Sequence, residues 1–375
     1  MKKLSVLILA SHEDAMGGVA GYYRLFYKHF QSPSVEIKKC NVGRRPNKNG
    51  LLQTILYTCS DIFKILTIIP KYDIIQINLS LGWLRGILRD GFYHFIAKRI
   101  FRRKTIVFFH GWDLAREKSI KGIYLKIFKY AFNFDKAIVL ANRFKQTLVK
   151  WNYSSQRIAL ETTAYEATPN IVKARSKIRN ILFLARFSPD KGCLLTLKIV
   201  ERLVSKDKNY HLFMAGDGEL YDELVKYTEF KKLERYVTFT GYVHDQQKYD
   251  LLNMCDLLVL PTTHGEGIPV SIVESMAFGL AIITRPVGGI VDILKSGKNG
   301  FMLKSLNPED YANFIENLNR DTDLLFQISK NNIDYARSRF EIKQIIHRFE
   351  QYYLEFLPIR KHSEWYIRES KYNLK

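Results

Sequence analysis

Cysteine is scarce in this chain: Cys40, Cys59, Cys193 and Cys255 are all that 375 residues contain. Their spacing fits neither a metal-ligand quartet nor a redox pair, which removes disulfide-stapled domains and zinc modules and leaves buried reduced thiols as the expectation. Long uninterrupted apolar runs are missing as well. The most apolar region, Leu51 to Pro70, is broken by Asp61 and Lys64, so no membrane-spanning helix is expected. The opening Met1–Ala10 has only a short apolar run, and His12, Glu13 and Asp14 follow at once. It reads as a first core strand and not as a leader peptide, which makes the protein cytoplasmic. Acidic residues are in deficit, 37 against 58 basic ones, for a net charge of +21. The deficit is uneven. Residues 1–170 hold 28 Lys and Arg against 11 Asp and Glu, a net +17, which leaves +4 for 171–375. Such a surface concentrates nucleic acid or an anionic membrane face.

What the chain does have is alternation. Apolar strand patterns at Leu4–Ala10, Asp73–Leu79, Thr105–Phe109 and Lys136–Leu140 are each followed by a helical pattern. A polar stretch at Glu161–Lys173 reads as a linker, and a second series follows at Asn180–Ala185, His211–Ala215, Val237–Thr240, Leu257–Leu260 and Ala281–Thr284. This order predicts an α/β protein of two tandem Rossmann-like domains with parallel sheets, ligands binding at the carboxyl ends of the strands.

The densest chemistry lies in His264–Gly279, directly after the buried run Leu257–Leu260. Glu266 and Glu274 stand eight positions apart, one in a glycine-rich loop and one inside the apolar helix that follows. Gly265, Gly267 and the amides of Ile268 and Val270, with Pro269 between them, fall at a helix N-terminus that favours an anion or dense hydroxyls. Glu274 can accept hydrogen bonds from a polyol. Gly17-Gly18 follows the first strand, where glycine lets backbone approach a phosphate, although a bare Gly-Gly is also an ordinary turn. After Asn180–Ala185, Arg186 and Lys191 flank a proline turn and can converge on one anion, the alternative being two solvated charges. His110 ends the strand Thr105–Phe109; Asp113 can orient it or cap the next helix. The Asp-x-Asp at 321–323 reads as a solvated helix start, and nine histidines show no paired ligand spacing. No metal site and no cofactor is expected.

The run from Glu266 to Gly279, continuing through Gly279-Leu280-Ala281-Ile282-Ile283-Thr284 and Val287-Gly288-Gly289-Ile290-Val291-Asp292, resembles the paired-glutamate signature of retaining glycosyltransferases of family 4, which have the GT-B fold. The family's phenylalanine is Ile268 here, and its common proline is Ala281. The resemblance implies two Rossmann-like domains facing across a central cleft. An acceptor-binding domain at 1–170, with 346–375 packing back on it, would precede a nucleotide-sugar domain at 171–345. It implies a UDP- or GDP-linked donor as co-substrate. Arg186 and Lys191 would neutralise the diphosphate, and Glu266 and His110 would lie near the donor sugar. Glu274 would take the ribose hydroxyls, Tyr242 and Val243 would lie beside the base, and Gly17 and Gly18 would form the N-terminal loop. The acceptor would be a glycan, or a lipid-linked glycan of bacterial surface polysaccharide such as lipopolysaccharide.

Two other classes compete. A basic nucleic-acid-binding protein fits the charge, but no reading element is present. A non-catalytic subunit of a glycan-assembly complex is disfavoured by retention of both glutamates, Arg186 and Lys191. The segment Trp83–Lys104 interleaves aromatic and basic residues, with Leu84, Ile87, Leu88, Phe95 and Ile96 toward one side of a helix and Arg85, Arg89 and Arg99 elsewhere. It predicts peripheral contact with the anionic inner face of the cytoplasmic membrane, the other reading being a core-facing helix with a solvated basic face.

Overall fold

The computed structural model describes residues 3–10, 18–42, 51–82, 84–167, 174–265 and 267–357, without the side chains of 18 and 51–56. The chain divides into two units, Met1–Thr162 with Ile342–Lys375, and Thr163–Glu341. The first passage falls slightly earlier than the boundary read from the polar stretch. Tyr165 already belongs to the second unit: its amide donates to the carbonyl of Phe340 at 3.0 Å, and it bridges to Glu341.

In the first unit the elements run β1 (Leu4–Ala10), α1 (Gly18–His29), β2 (Val35–Asn41), α2 (Leu51–Ile68), β3 (Ile74–Ser80) and α3 (Leu84–Phe95). There follow β4 (Lys104–Gly111), α4 (Leu114–Ser119), α5 (Ile123–Ala131), β5 (Lys136–Val139), α6 (Asn142–Lys150) and β6 (Ile158–Leu160). The strands make one six-stranded sheet ordered β2-β1-β3-β4-β5-β6, with every pairing parallel. Helices cover both faces, so the central strands are apolar at consecutive positions; Ile106, Val107, Phe108 and Phe109 are all fully buried.

The second unit runs β7 (Asn180–Leu184), α7 (Cys193–Lys206), β8 (His211–Ala215), α8 (Tyr221–Phe230), β9 (Val237–Gly241) and α9 (Asp245–Met254). It continues with β10 (Leu257–Leu260), α10 (Val270–Ala277), β11 (Ala281–Thr284), α11 (Ile290–Ile293), β12 (Phe301–Met302), α12 (Pro308–Arg320) and α13 (Thr322–Arg339). Its parallel sheet is ordered β12-β11-β10-β7-β8-β9 around one continuous apolar core.

The last described helix, α14 (Ile342–Leu354), returns to the first unit. Phe349 packs against Phe26 of α1 and Phe108 of β4, with ring centroids 5.1 and 5.6 Å apart. The fully buried Glu161 carboxylate accepts from Arg348 Nε (2.6 Å) and Nη2 (3.0 Å) and from the Tyr352 hydroxyl (3.0 Å). Residues 358–375 lie outside the described residues. Among the described residues no helix is long and apolar enough to cross a membrane.

Candidate functional site

The order of the second sheet reverses its progression between β7 and β10. In a wound parallel sheet the crevice outside the carboxyl ends of such a pair is where ligands bind. The loops after β7 and β10 are the ones that carry Arg186–Lys191 and His264–Val270. They are laced together. Gly192, with φ of 78°, opens α7, and a Cβ there would meet the Pro261 carbonyl oxygen at 2.7 Å. The Asp190 carbonyl accepts from the Thr263 amide (2.8 Å) and from the hydroxyls of Thr262 (3.1 Å) and Thr263 (3.2 Å). On the side-chain side, His264 Nδ1 lies 2.7 Å from Asp190 Oδ2, and the Ser188 hydroxyl donates to Oδ1 at 2.5 Å. From the other flank, Gly216 lies so close that a Cβ would come within 2.0 Å of the Ala185 carbonyl oxygen. The turn that bears Arg186 and Lys191 is therefore fixed by backbone on both sides.

The electrostatics of that turn favour an anion. Burial pushes Lys191 down to about 8, and the Arg186 charge adds to the shift while Asp190 opposes it. Arg186 itself is exposed. Burial would lift Asp190, but the Ser188 hydroxyl, His264 and Lys191 more than offset it and hold the carboxyl below its usual range. A dianion beside Lys191 and Arg186 would favour the ammonium that burial disfavours.

After β10, the residues from 267 are tied down separately. The Gly289 amide donates to the Gly267 carbonyl at 2.9 Å, Ile268 and Pro269 are buried, and Pro269 caps α10, which begins at Val270. Glu266 lies outside the described residues, as does Gly17; Gly18 is the first residue of α1.

Glu274, the fifth residue of α10, is buried and has a partner that the sequence did not reveal. Lys248 of α9 donates to its Oε1 at 2.5 Å. Burial works against the Lys248 charge, but Glu274 outweighs it, Tyr249 and Tyr242 contribute in the same sense, and the ammonium is held above its ordinary value. Tyr242, exposed, and Val243, half-buried, follow β9 beside this pair. Lys248 lies outside every motif, and only the need of a buried carboxylate for a cation could have pointed to it.

His110 belongs to the first unit, as the seventh residue of β4. It packs among the rings of Phe108 (3.7 Å between centroids), Tyr23 (5.3 Å) and Tyr22 (5.4 Å), and burial drives its pKa down to about 3, so the ring is neutral. Of the two roles open to Asp113, the structure shows the cap: its Oδ1 accepts from the Arg116 amide at 2.7 Å. Asp321 likewise caps α13, accepting from the Leu324 amide at 3.0 Å. Among the described residues no group of three His, Cys, Asp or Glu side chains converges as metal ligands.

Residues 165–335 match the family described as glycosyl transferases group 1. The chain is similar to an uncharacterized glycosyltransferase of Methanocaldococcus jannaschii, 25% identical over 234 residues, covering 62% of this chain and 63% of the relative. It is also similar to a putative colanic acid biosynthesis glycosyltransferase of Escherichia coli, 23% identical over 261 residues, 66% of this chain and 63% of the relative. The chain thus spans less than two thirds of the length of these curated relatives. Among solved structures, Anabaena HepE in complex with UDP and glucose superposes with a TM-score of 0.69 over 94% of this chain and 100% of that one, at 17% identity. At that identity the likeness establishes a shared GT-B fold.

Proposed function

We propose that the protein, whose residues 165–335 match the family described as glycosyl transferases group 1, is a glycosyltransferase moving a hexose from a UDP-linked donor to a glycan acceptor. The observation that carries this is the turn at the switch point of the second sheet, where backbone contacts hold the exposed Arg186 and the half-buried Lys191 at the carboxyl end of β7. The UDP preference is supported by the nucleotide bound to the Anabaena neighbour.

In this reading the diphosphate lies against Arg186 and Lys191, and the ribose hydroxyls bond to Glu274, whose second oxygen Lys248 leaves available. Glu266, Gly267, Ile268, Pro269 and Val270 line the donor side, with Tyr242 and Val243 beside the base. As the anomeric C–O bond breaks, negative charge grows on the departing phosphate, and the two fixed cations stabilise it without reorganising. The acceptor hydroxyl attacks from the same face. Its proton passes to the leaving phosphate oxygen, and configuration is retained. Calorimetric titration of the protein with UDP, GDP and ADP, with and without a chelator, tests the site. UDP binding is expected, and failure of every nucleotide to bind overturns the proposal. The anomeric form of the first-formed product tests retention.

The acceptor proposed is a polysaccharide-type glycan, in line with the colanic acid relative, and one that is lipid-linked at an anionic membrane surface. The supporting surface differs from the one read from the sequence. Ile87 and Ile96 face the core, while Leu84, Leu88 and Phe92 of α3 are exposed. They are joined by Ile123, Tyr124, Ile127 and Tyr130 of α5, all exposed, with Arg99 over the Tyr130 ring at 5.5 Å. Arg89, Lys98 and Lys104 are engaged by Asp90 and Asp135, so Arg85, Arg99, Arg102, Lys121 and Lys126 supply the exposed charge. Apolar anchors rimmed by cations suit an interfacial position. Sedimentation with anionic vesicles, lost with neutral vesicles or high salt, is expected. Equal, negligible binding to both vesicle types makes the acceptor soluble.

A further inference from the structure

Two helices of the second unit, α9 and α10, are fastened to each other without help from the ion pair that joins them. The Arg175 guanidinium lies across their carboxyl ends. It donates to the carbonyls of Leu252 (3.2 Å), Asn253 (2.9 Å) and Cys255 (3.0 Å) at the end of α9, and to the Phe278 carbonyl at the end of α10. The Tyr249 ring of α9 stacks on the Phe278 ring, with centroids 5.8 Å apart and planes 15° from parallel. A largely buried ion pair adds little to helices held this way, because taking two charges out of water costs about what their attraction returns. Lys248 and Glu274 are therefore to be explained by what the lysine does for the carboxylate. Lys248 is the fourth residue of α9 and reaches Glu274 from the loop that carries Tyr242 and Val243. Its Nζ donates to Oε1 at 2.5 Å, with three quarters of the lysine side chain out of solvent. Such a charge-assisted bond fixes the rotation of the carboxylate, so that the position of the second oxygen is set by the first.

We propose that Lys248 is a positioning residue for the donor: it holds Glu274 as an ionised, charge-balanced acceptor, and so makes the site select ribonucleotides over their deoxy forms. An ionised carboxylate can only accept, so a ligand group that bonds to it must bring a proton, as a ribose hydroxyl does. A neutral amide in the place of Glu274 would also accept, but with bonds about half as strong. The stronger acceptor has a drawback beside a diphosphate, since its own negative charge repels the ligand. Lys248 removes that drawback: the pair has no net charge, while the direction of the acceptor is kept. Lys248 is suited to this because Glu274 outweighs the effect of burial on it and holds it as the ammonium. The pair and its scaffold belong to the second unit alone, whereas the identity of the ligand rests on the function proposed above.

The test is a ligand cycle on the whole chain, with calorimetry of UDP and of its dideoxyribose analogue, which has the same base and diphosphate but no ribose hydroxyls. Wild type is expected to bind UDP about thirtyfold more tightly than the analogue, the scale of hydrogen bonds to a charged group. In Lys248→Met that ratio is expected to fall below about fivefold. Any loss common to both ligands reports charge or fold, and the ratio alone reports the hydroxyl contact. A wild-type ratio in the variant overturns the role of Lys248 and leaves nucleotide binding standing. Equal affinity of wild type for the two ligands overturns it as well. If Lys248→Met does not fold, the wild-type chain labelled with 15N-lysine decides, with the Lys248 ammonium resonance identified by its loss in Lys248→Arg. That resonance is expected to move with UDP and to stay in place with the analogue, and the same shift with both overturns the proposal. If neither ligand binds wild type, the proposed function fails and this inference with it.

Discussion

The two units place polar side chains at the carboxyl ends of parallel strands by opposite means. In the second unit, Arg186 and Lys191 ride on a turn that backbone contacts fix, from Gly192 against Pro261 to the Asp190 carbonyl under Thr262 and Thr263. Of the side chains themselves, Arg186 is exposed and Lys191 is half-buried, its pKa lowered by burial. In the first unit, His110 sits on the strand itself, neutral, and is oriented by uncharged side chains in a buried network. A charged ligand calls for cations held in place on a fixed turn. The same wound sheet serves both, and the difference lies in whether side chains or backbone hold the loop.

Deleting one cation should have the largest effect on this contrast. Lys191→Ala is expected to lower kcat by about two orders of magnitude, the scale of losing one fixed electrostatic stabiliser of a leaving group. UDP affinity should fall with it, and the melting temperature should not. Wild-type turnover in a folded variant would remove Lys191 from the site.

Glu274 sharpens the comparison because it is both a candidate ligand group and half of an ion pair. Glu274→Ala leaves the Lys248 ammonium, with a quarter of its side chain exposed, without its partner; the expected loss of stability is about 2 kcal/mol after allowance for that exposure. Adding Lys248→Met should restore stability and leave transfer absent. If the double variant regains activity, Glu274 serves only the fold.

For the first unit the corresponding break is Arg348→Met, which strands the buried Glu161 carboxylate between Tyr352 and the Thr162 amide. The expected cost is about 3 kcal/mol, the low end for opening a buried pair, because Arg348 is one-third exposed. The segment 163–341 contains no tryptophan, and Trp112 and Trp151 are buried in the first unit, so tryptophan fluorescence reports that unit's unfolding selectively. A melt coincident with wild type would show that α14 is held by its apolar face alone.

Which parts were legible follows the same physics. The interior strands of both sheets are largely apolar and could be read directly, as with Leu257–Leu260 and Ala281–Thr284, although Gln76 and Asn78 interrupt β3. The three that escaped notice, β2, β6 and β12, are all sheet edges. Val35–Asn41 alternates charged and buried positions, and the other two span three and two residues, too short for any periodicity. In the site, Arg186 and Lys191 could be found because a turn after a buried strand leaves few places for them. Lys248 could not, since its pairing with Glu274 joins two helices far apart in sequence. The apolar face of α3 was misassigned at Ile87 and Ile96. Ile87 shares its buried stripe with Asp90, Gly91 and His94, polar or small residues that an apolar pattern passes over, and at Ile96 the helix passes into a π-turn, Ile96–Ile100, which shifts the register.

The finest test of the charged half is pH. Lys191 titrates near 8 in the free protein, because burial and Arg186 both disfavour its charge. A bound diphosphate favours the ammonium, so binding takes up a proton wherever Lys191 is neutral beforehand. The sign follows: below 8 the lysine is already charged and affinity is at its plateau, and as pH rises through 8 affinity is lost. The UDP dissociation constant should increase roughly tenfold per pH unit above 8, until the raised pKa of the complex is reached. In Lys191→Arg the guanidinium stays charged throughout, and the curve should be flat over the same range. Calorimetry from pH 7 to 9.5 in buffers of differing ionisation enthalpy measures both the slope and the proton taken up. An equal slope in the arginine variant would assign the titration to another group. Flat curves in both would mean that Lys191 meets the diphosphate already fully charged, and that backbone placement alone prepares this half of the site.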